Sequence, residues 1–220
     1  MLAFELLSDA IPPLRTSDTV RKALDRMAEF RIAHMPVVNQ EQFLGLVAEE
    51  DLIEASATEQ PIGNVELSLL NPFVFENQHI YDVITLLSMQ KLTIVPVLDL
   101  QRNYLGVISI NSMNEYFAQI TSANEPGAII VLEISNRENS MTQIAQIIES
   151  ENAQILSSYI RTFPDSTRLE LTIKVNKREI SAIVAGLLRY NYTIKATHHT
   201  LEIDNGSLNR YEQLMNYLNI

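Results

Sequence analysis

The chain has 220 residues and a formal net charge of −11, with 46% hydrophobic and 20% charged residues. That length buries one large core or two small ones, and no apolar run approaches the ~18 residues of a spanning helix. There is no cysteine, which excludes disulfides, thiolate zinc sites and cysteine nucleophiles, and the acidic balance argues against a phosphate-backbone partner.

Residues 1–10 carry Glu5 and Asp9 and no base, so a secretory signal is not expected and a cytoplasmic location is. Residues 1–120 hold 7 basic and 16 acidic residues, and no Lys/Arg cluster suggests a basic patch. Val20, Ala23, Leu24 and Met27 have the spacing of a buried helical stripe, with Ser17 or Asp18 placed to cap it. Met35-Pro36-Val37-Val38 opens an extended run, with Pro36 at its head where a missing donor is tolerated. Asn39 to Gln42 reads as a turn, and Leu44-Gly45-Leu46-Val47 as the returning strand.

A shift of sixty residues repeats this series. Ile80, Val83, Ile84 and Leu87 replace the first stripe, with Asn77 as its cap, and Val95-Pro96-Val97-Leu98 replaces the proline run. After one inserted residue, Leu105-Gly106-Val107-Ile108 replaces the glycine strand. A strand glycine marks a bulge or a close approach by a ligand or backbone. Coincident Pro and Gly inside an ordered apolar series point to duplication, with copies at about residues 1–60 and 61–120.

Residues 121–127 read as a linker. Beyond it, residues 128–134 form a strand. Ser140 and Gln143 then form a capping box ahead of a stripe at Met141, Ile144, Ala145 and Ile148. Residues 153–161 form a strand, followed by a turn at Pro164-Asp165-Ser166. Leu169, Leu171, Ile173 and Val175 then alternate with Glu170, Thr172 and Lys174, giving a strand with one wet face. Asn176 and Glu179 are placed to cap a helix with its stripe at Ile180, Ile183, Val184, Leu187 and Leu188, and residues 192–197 close the series. The order is βαββαβ, a ferredoxin-like split βαβ arrangement. Residues 201–220 carry Leu208, Tyr211, Leu214, Met215 and Leu218 at amphipathic helical spacing.

The run apolar-x-Pro-Val-Val, polar turn, apolar-Gly-apolar-apolar resembles the CBS motif, present twice across residues 1–120. Residues 128–200 resemble an ACT domain, although its acidic-Arg-Pro-Gly turn reads Arg137-Glu138-Asn139 here, keeping only the Arg. Together the chain is similar to the CBS–ACT proteins of bacterial acetoin utilisation and their relatives. The resemblance implies an α+β fold: two CBS motifs (β-α-β-β-α each) packed as a pair, then a ferredoxin-like ACT-type domain. It also implies a cytoplasmic homodimer that senses rather than catalyses.

CBS clefts often bind AMP, ATP or S-adenosylmethionine, and ACT domains bind amino acids. In the CBS family a Thr/Ser and an Asp contact phosphate and ribose. The first copy reads Val47-Ala48-Glu49-Glu50-Asp51 and keeps the Asp; the second reads Ile108-Ser109-Ile110-Asn111-Ser112 and keeps the hydroxyl. Asp51, Ser109 and Ser112 are therefore candidate ligand contacts, with helix capping an equal reading for each; His34, before Met35-Pro36 where the resembled family often carries a polar residue, is a fourth candidate, its other reading being an ordinary histidine at a strand entry. Three consecutive carboxylates facing the cleft favour a neutral or cationic ligand over a polyphosphate; Glu49 and Glu50 read equally as solvated residues at a helix start, where acids suit the helix dipole. The alternative is a ligand-free dimeric scaffold with degenerate pockets. No catalytic set, required cofactor or metal site is expected, and His79, His198 and His199 lack metal-site spacing.

Overall fold

The computed structural model describes residues 1–54, 58–66, 72–135, 140–164 and 166–199. Arg137, Glu138, Asn139, Asp165 and the helix expected at 201–220 lie outside the described residues. The chain divides into two units, Met1–Tyr116 and Phe117–Ile220.

In the first unit, copy one comprises α1 (Val20–Phe30), β1 (His34–Asn39), β2 (Gln42–Ala48) and α2 (Glu49–Glu54). Copy two comprises β3 (Val74–Phe75), α3 (Ile80–Gln90), β4 (Ile94–Leu98), β5 (Tyr104–Ser109) and α4 (Ile110–Ile120), which runs past the division between units. The duplication extends to backbone detail. α1 and α3 both stop on a left-handed residue, Arg31 at φ 54° and Lys91 at φ 53°. The β1–β2 and β4–β5 ladders both slip at a bulge, Val37/Val38 and Val97/Leu98, opposite Gly45 and Gly106. A β-carbon on Gly106, at φ +156°, would meet Ser8 O at 2.8 Å, so a neighbouring backbone makes the close approach there.

Leu14 lies parallel to Val37 as Val74 lies parallel to Val97, giving each copy a short leading strand. The proline is not at the strand head: Pro36 and Pro96 are each the third residue of their strand. Pro36 O accepts Leu14 N–H at 2.8 Å, so its nitrogen faces the same edge, where the leading strand pairs only at Leu14 and needs no donor.

The segments before each leading strand are exchanged between copies. Met1 O accepts Ile80 N–H at 3.2 Å and Ala3 N–H donates to Gln78 O at 2.8 Å, at the start of α3. Gln60 O accepts Val20 N–H at 3.0 Å and Ile62 N–H donates to Asp18 O at 2.8 Å, at the start of α1. Ala3 and Ile62, each in a 3-10 turn, are buried by this exchange. It binds the copies into one apolar core that contains Val20, Met27, Met35, Ile80, Ile94 and Ile108.

The helix caps differ from the expected ones. Thr19 caps α1 by accepting Lys22 N–H at 3.3 Å, and His79 caps α3 by accepting Tyr81 N–H at 3.3 Å. Asp18 instead accepts Arg15 N–H at 2.9 Å. The α3 stripe is also narrower than its spacing suggests: Ile80, Val83 and Leu87 are buried, but Ile84 is exposed.

The second unit orders its elements as β6 (Ala128–Ser135), α5 (Met141–Ser150), β7 (Ile155–Thr162), β8 (Arg168–Val175), α6 (Ser181–Arg189) and β9 (Thr193–His199). Its antiparallel sheet has the order β7-β8-β6-β9. Ala128, Ile130, Leu132 and Ile134 alternate into a core with Ile144, Ile148, Ile183 and Leu187. Ser140 caps α5 through Gln143 N–H at 3.2 Å, but the Gln143 side chain accepts Tyr192 O–H at 2.8 Å rather than closing the box. Asn176 does not cap α6; it accepts Gln154 N–H at 2.8 Å, while Glu179 accepts Ser181 N–H at 2.9 Å. Leu188 is exposed.

Lys174 is not on a wet face. It is 6% exposed, and its ammonium donates to the carbonyls of Ser122 and Ala123, just past the end of α4. A cation meeting carbonyls beyond a helix C-terminus has favourable electrostatics.

Candidate functional site

The starts of β1 and β4 and the ends of β2 and β5 form one end of the first unit's sheets. His34 pairs with Ala48, and Ile94 pairs with Ser109. The strand-to-helix junctions are tied back in the same way: Glu49 N–H donates to Ala33 O at 2.9 Å, and Ile110 N–H donates to Thr93 O at 3.0 Å. Each junction therefore sits beside the residue that precedes its proline strand.

Thr93 joins the two copies. Its hydroxyl oxygen accepts Ala33 N–H at 3.0 Å and lies 3.1 Å from His34 Nδ1. Its own N–H donates to His34 Nδ1 at 3.3 Å. Nδ1 therefore acts as an acceptor, which assigns the proton of the neutral ring to Nε2. Burial lowers the proton affinity of His34, and the nearby charges of Asp51 and Glu50 oppose this without reversing it.

Asp51 sits in the first turn of α2, and one of its carboxylate oxygens accepts Ala48 N–H at 3.3 Å. In copy two the polar group has moved to the other end of the same link. Ser109, 7% exposed, accepts Ser112 N–H at 3.0 Å, and the two hydroxyl oxygens are 2.9 Å apart. Position 48 is linked to 51 and 109 to 112, once by a carboxylate from below and once by a hydroxyl from above. The capping role is thus seen directly for Asp51 and Ser109. His34, Thr93, Asp51, Ser109 and Ser112 all belong to this end of the sheets. Thr93 was missed from sequence, where its one signal was a hydroxyl at the position Ala33 occupies in copy one.

In the second unit a cavity of about 840 Å³ opens between the end of β6 and the starts of α5 and β9. Its lining includes Ser135, Ser140, Gln143, Arg168 and Tyr192, and Arg168 lies 3.7 Å from Glu133. Arg137, the remnant of the expected turn motif, is outside the described residues. Among the described residues no group of His, Asp and Glu could hold a metal ion, and no helix is long and apolar enough to cross a membrane.

Residues 3–58 match the family model of the CBS domain. Among solved structures, a CBS domain pair/ACT domain protein from Thermotoga maritima is 25% identical, over 53% of this chain and 96% of that one, at a TM-score of 0.49. An acetoin utilization protein from Vibrio cholerae is 18% identical, over 56% and 95%, also at 0.49. The protein CBSX2, solved in complex with AMP, is 18% identical, over 54% and 97%, at 0.47.

Proposed function

We propose that this chain is a non-catalytic regulatory protein. In this reading its first unit is a tandem CBS pair that binds an adenosine-type ligand where the two copies meet. One observation carries the proposal: the Thr93 link between copies gathers His34, Asp51, Ser109 and Ser112 at one end of the duplicated sheets. The CBS match over residues 3–58 supports the same assignment. Carboxylates at Glu49, Glu50 and Asp51 open α2, so S-adenosylmethionine, whose sulfonium is positive, or uncharged adenosine suits the site better than ATP, with AMP between them.

The second unit is read as a ferredoxin-like ACT-type domain of about residues 128–200, on the strength of its βαββαβ order and its sheet order. The chain is read as a cytoplasmic homodimer. Tyr81, Ile84 and Met89 leave an apolar arc of α3 exposed, which a second copy would cover.

A second reading has its own support. Asp51 and Ser109 already bond their local backbone, as they would in a ligand-free scaffold. A thermal-shift series with S-adenosylmethionine, adenosine, AMP and ATP separates the two, because a ligand that binds only the native state raises Tm by mass action. A rise that Asp51→Ala or Ser109→Ala diminishes supports the sensor, and flat curves for every ligand support the scaffold.

A further inference from the structure

At the turn end of β1, away from the junctions above, the first unit has a cavity of about 740 Å³. It lies between the segment before α1, the α1 surface and the β1–β2 turn, and its lining includes Arg15, Asp18, Lys22, Arg26, Thr16 and Asn39. This basic cluster is not visible as a run of Lys and Arg in the chain. Lys22 and Arg26 share a helix face four residues apart, and Arg15 reaches them only because the chain turns back at Asp18, whose N–H donates to Arg15 O at 3.0 Å.

The cations are not all used by the protein. Asp18 pairs with Lys22 at 2.6 Å. Its carboxyl is desolvated by burial, which alone would raise its pKa, yet Arg15 N–H, Lys22 and the charge of Arg26 hold it below the ordinary value. That pair cancels in charge. Arg26, half-buried, donates one N–H to Pro13 O at 3.2 Å, which fixes the side chain and leaves the rest of its fork open. Arg15 has no side-chain partner among the described residues. Three cations, Arg15, Lys22 and Arg26, thus face the single carboxylate of Asp18 in the lining, which leaves it net positive, with the Thr16 hydroxyl and the Asn39 amide beside them.

The duplication provides an internal control. The corresponding groove of copy two, about 310 Å³, is lined by Phe73, Gln78, Asp82 and Leu86 at the positions of Pro13, Asp18, Lys22 and Arg26. The fold builds this groove twice, and only copy one charges it positively. The first-turn N–H groups of α1 are occupied by Gln60, Thr58 and Thr19, so the site rests on side chains and not on the helix terminus.

We infer that the groove between Arg15 and Arg26 binds the phosphoryl group of a small metabolite. Guanidinium forks match phosphate oxygens two at a time. The chain as a whole is acidic, net −11, which repels a long polyanion and confines binding to a compact one. The phosphoryl group is supplied either by a free inorganic anion or by a nucleotide reaching the groove from outside.

The test is isothermal titration calorimetry of the full chain with inorganic pyrophosphate at low ionic strength. Arg15→Gln/Arg26→Gln is compared with Arg21→Gln, an exposed residue paired to Glu59 outside the groove. The expected result is equal binding by the wild type and Arg21→Gln, at least ten-fold weaker binding by the double variant, and no competition from adenosine. Arg15→Gln alone changes an exposed side chain without a partner, and is expected to weaken binding several-fold with an unchanged circular dichroism spectrum. Competition by AMP but not by adenosine identifies a nucleotide phosphate as an occupant; failure of AMP to compete identifies the free anion. The inference is overturned if pyrophosphate does not bind, if Arg21→Gln weakens binding as much as the double variant, or if adenosine displaces it. None of these outcomes depends on whether adenosine binds between the copies.

Discussion

Thr93 and His34, fifty-nine residues apart, are joined by the Thr93 N–H donating to His34 Nδ1 at 3.3 Å. The bond ties the proline strand of one copy to that of the other, and it requires an imidazole without a proton on Nδ1. Fold and titration are therefore linked at this position.

Protonating His34 should cost stability. Its folded-state pKa lies below the ordinary 6.5 because burial outweighs the pull of Asp51 and Glu50. Between those two values the unfolded chain binds more protons than the folded one. The contribution is complete above the unfolded pKa, falls as pH drops through the window, and levels off below the folded pKa. Urea midpoints measured from about pH 7.5 down to about pH 5.5 should decline, and His34→Gln should decline less. Equal slopes would show that His34 does not titrate differently on folding.

Thr93→Val should destabilise by about 1–2 kcal/mol, since Ala33 N–H loses its acceptor inside the first unit. Thr93→Ser should recover most of that loss. A wild-type-like denaturation midpoint for the valine variant would remove Thr93 as the link between copies.

Asp51→Ala should cost about 1 kcal/mol, the worth of a local cap, while Asp51→Asn keeps an acceptor for Ala48 N–H and should cost a few tenths. If the asparagine variant is stable but loses ligand response, charge and not hydrogen-bonding capacity is what the ligand reads. Chemical denaturation with and without ligand measures both quantities.

Among the described residues, Tyr104 carries a buried hydroxyl with no hydrogen-bond partner, and burial raises its pKa. Tyr104→Phe removes an unsatisfied polar atom and keeps the packing, so it should leave stability unchanged or raise it by about 1 kcal/mol. A loss of more than that would mean that the hydroxyl has a water partner.

Gly106→Ala should destabilise by about 1–3 kcal/mol. The backbone stands at φ +156°, and the new methyl would lie 2.8 Å from Ser8 O. Ser8 and Val107 exchange two backbone hydrogen bonds, at 2.9 and 3.1 Å, so amide exchange should quicken at both residues.

The duplicated frame was legible because its markers are local. Proline, glycine and the apolar spacing of Val20, Ala23 and Met27 recur in Ile80, Val83 and Leu87 without any tertiary information. The caps were not legible. Ser17, Asp18 and Thr19 all have cap chemistry, and only the backbone angles select Thr19. Lys174 alternates like a surface residue, but the carbonyls beyond α4 fold over it. The exchanged leading segments and the Arg15–Arg26 groove depend on chain reversals that composition does not encode. The site was half legible: Asp51, Ser109 and Ser112 stand out by comparing the copies and His34 by its place before Met35-Pro36, whereas Thr93 gains meaning only when Ala33 and His34 are seen against it.

The proposed adenosine-type ligand lies where the two copies meet. Isothermal titration of S-adenosylmethionine into the wild type, Asp51→Asn and Arg15→Gln tests this placement most directly. Saturable binding is expected for the wild type and Arg15→Gln, and at least ten-fold weaker binding for Asp51→Asn, a difference of about 1.4 kcal/mol or more. Equal affinity for all three proteins, or no binding by S-adenosylmethionine, adenosine, AMP or ATP, would contradict it.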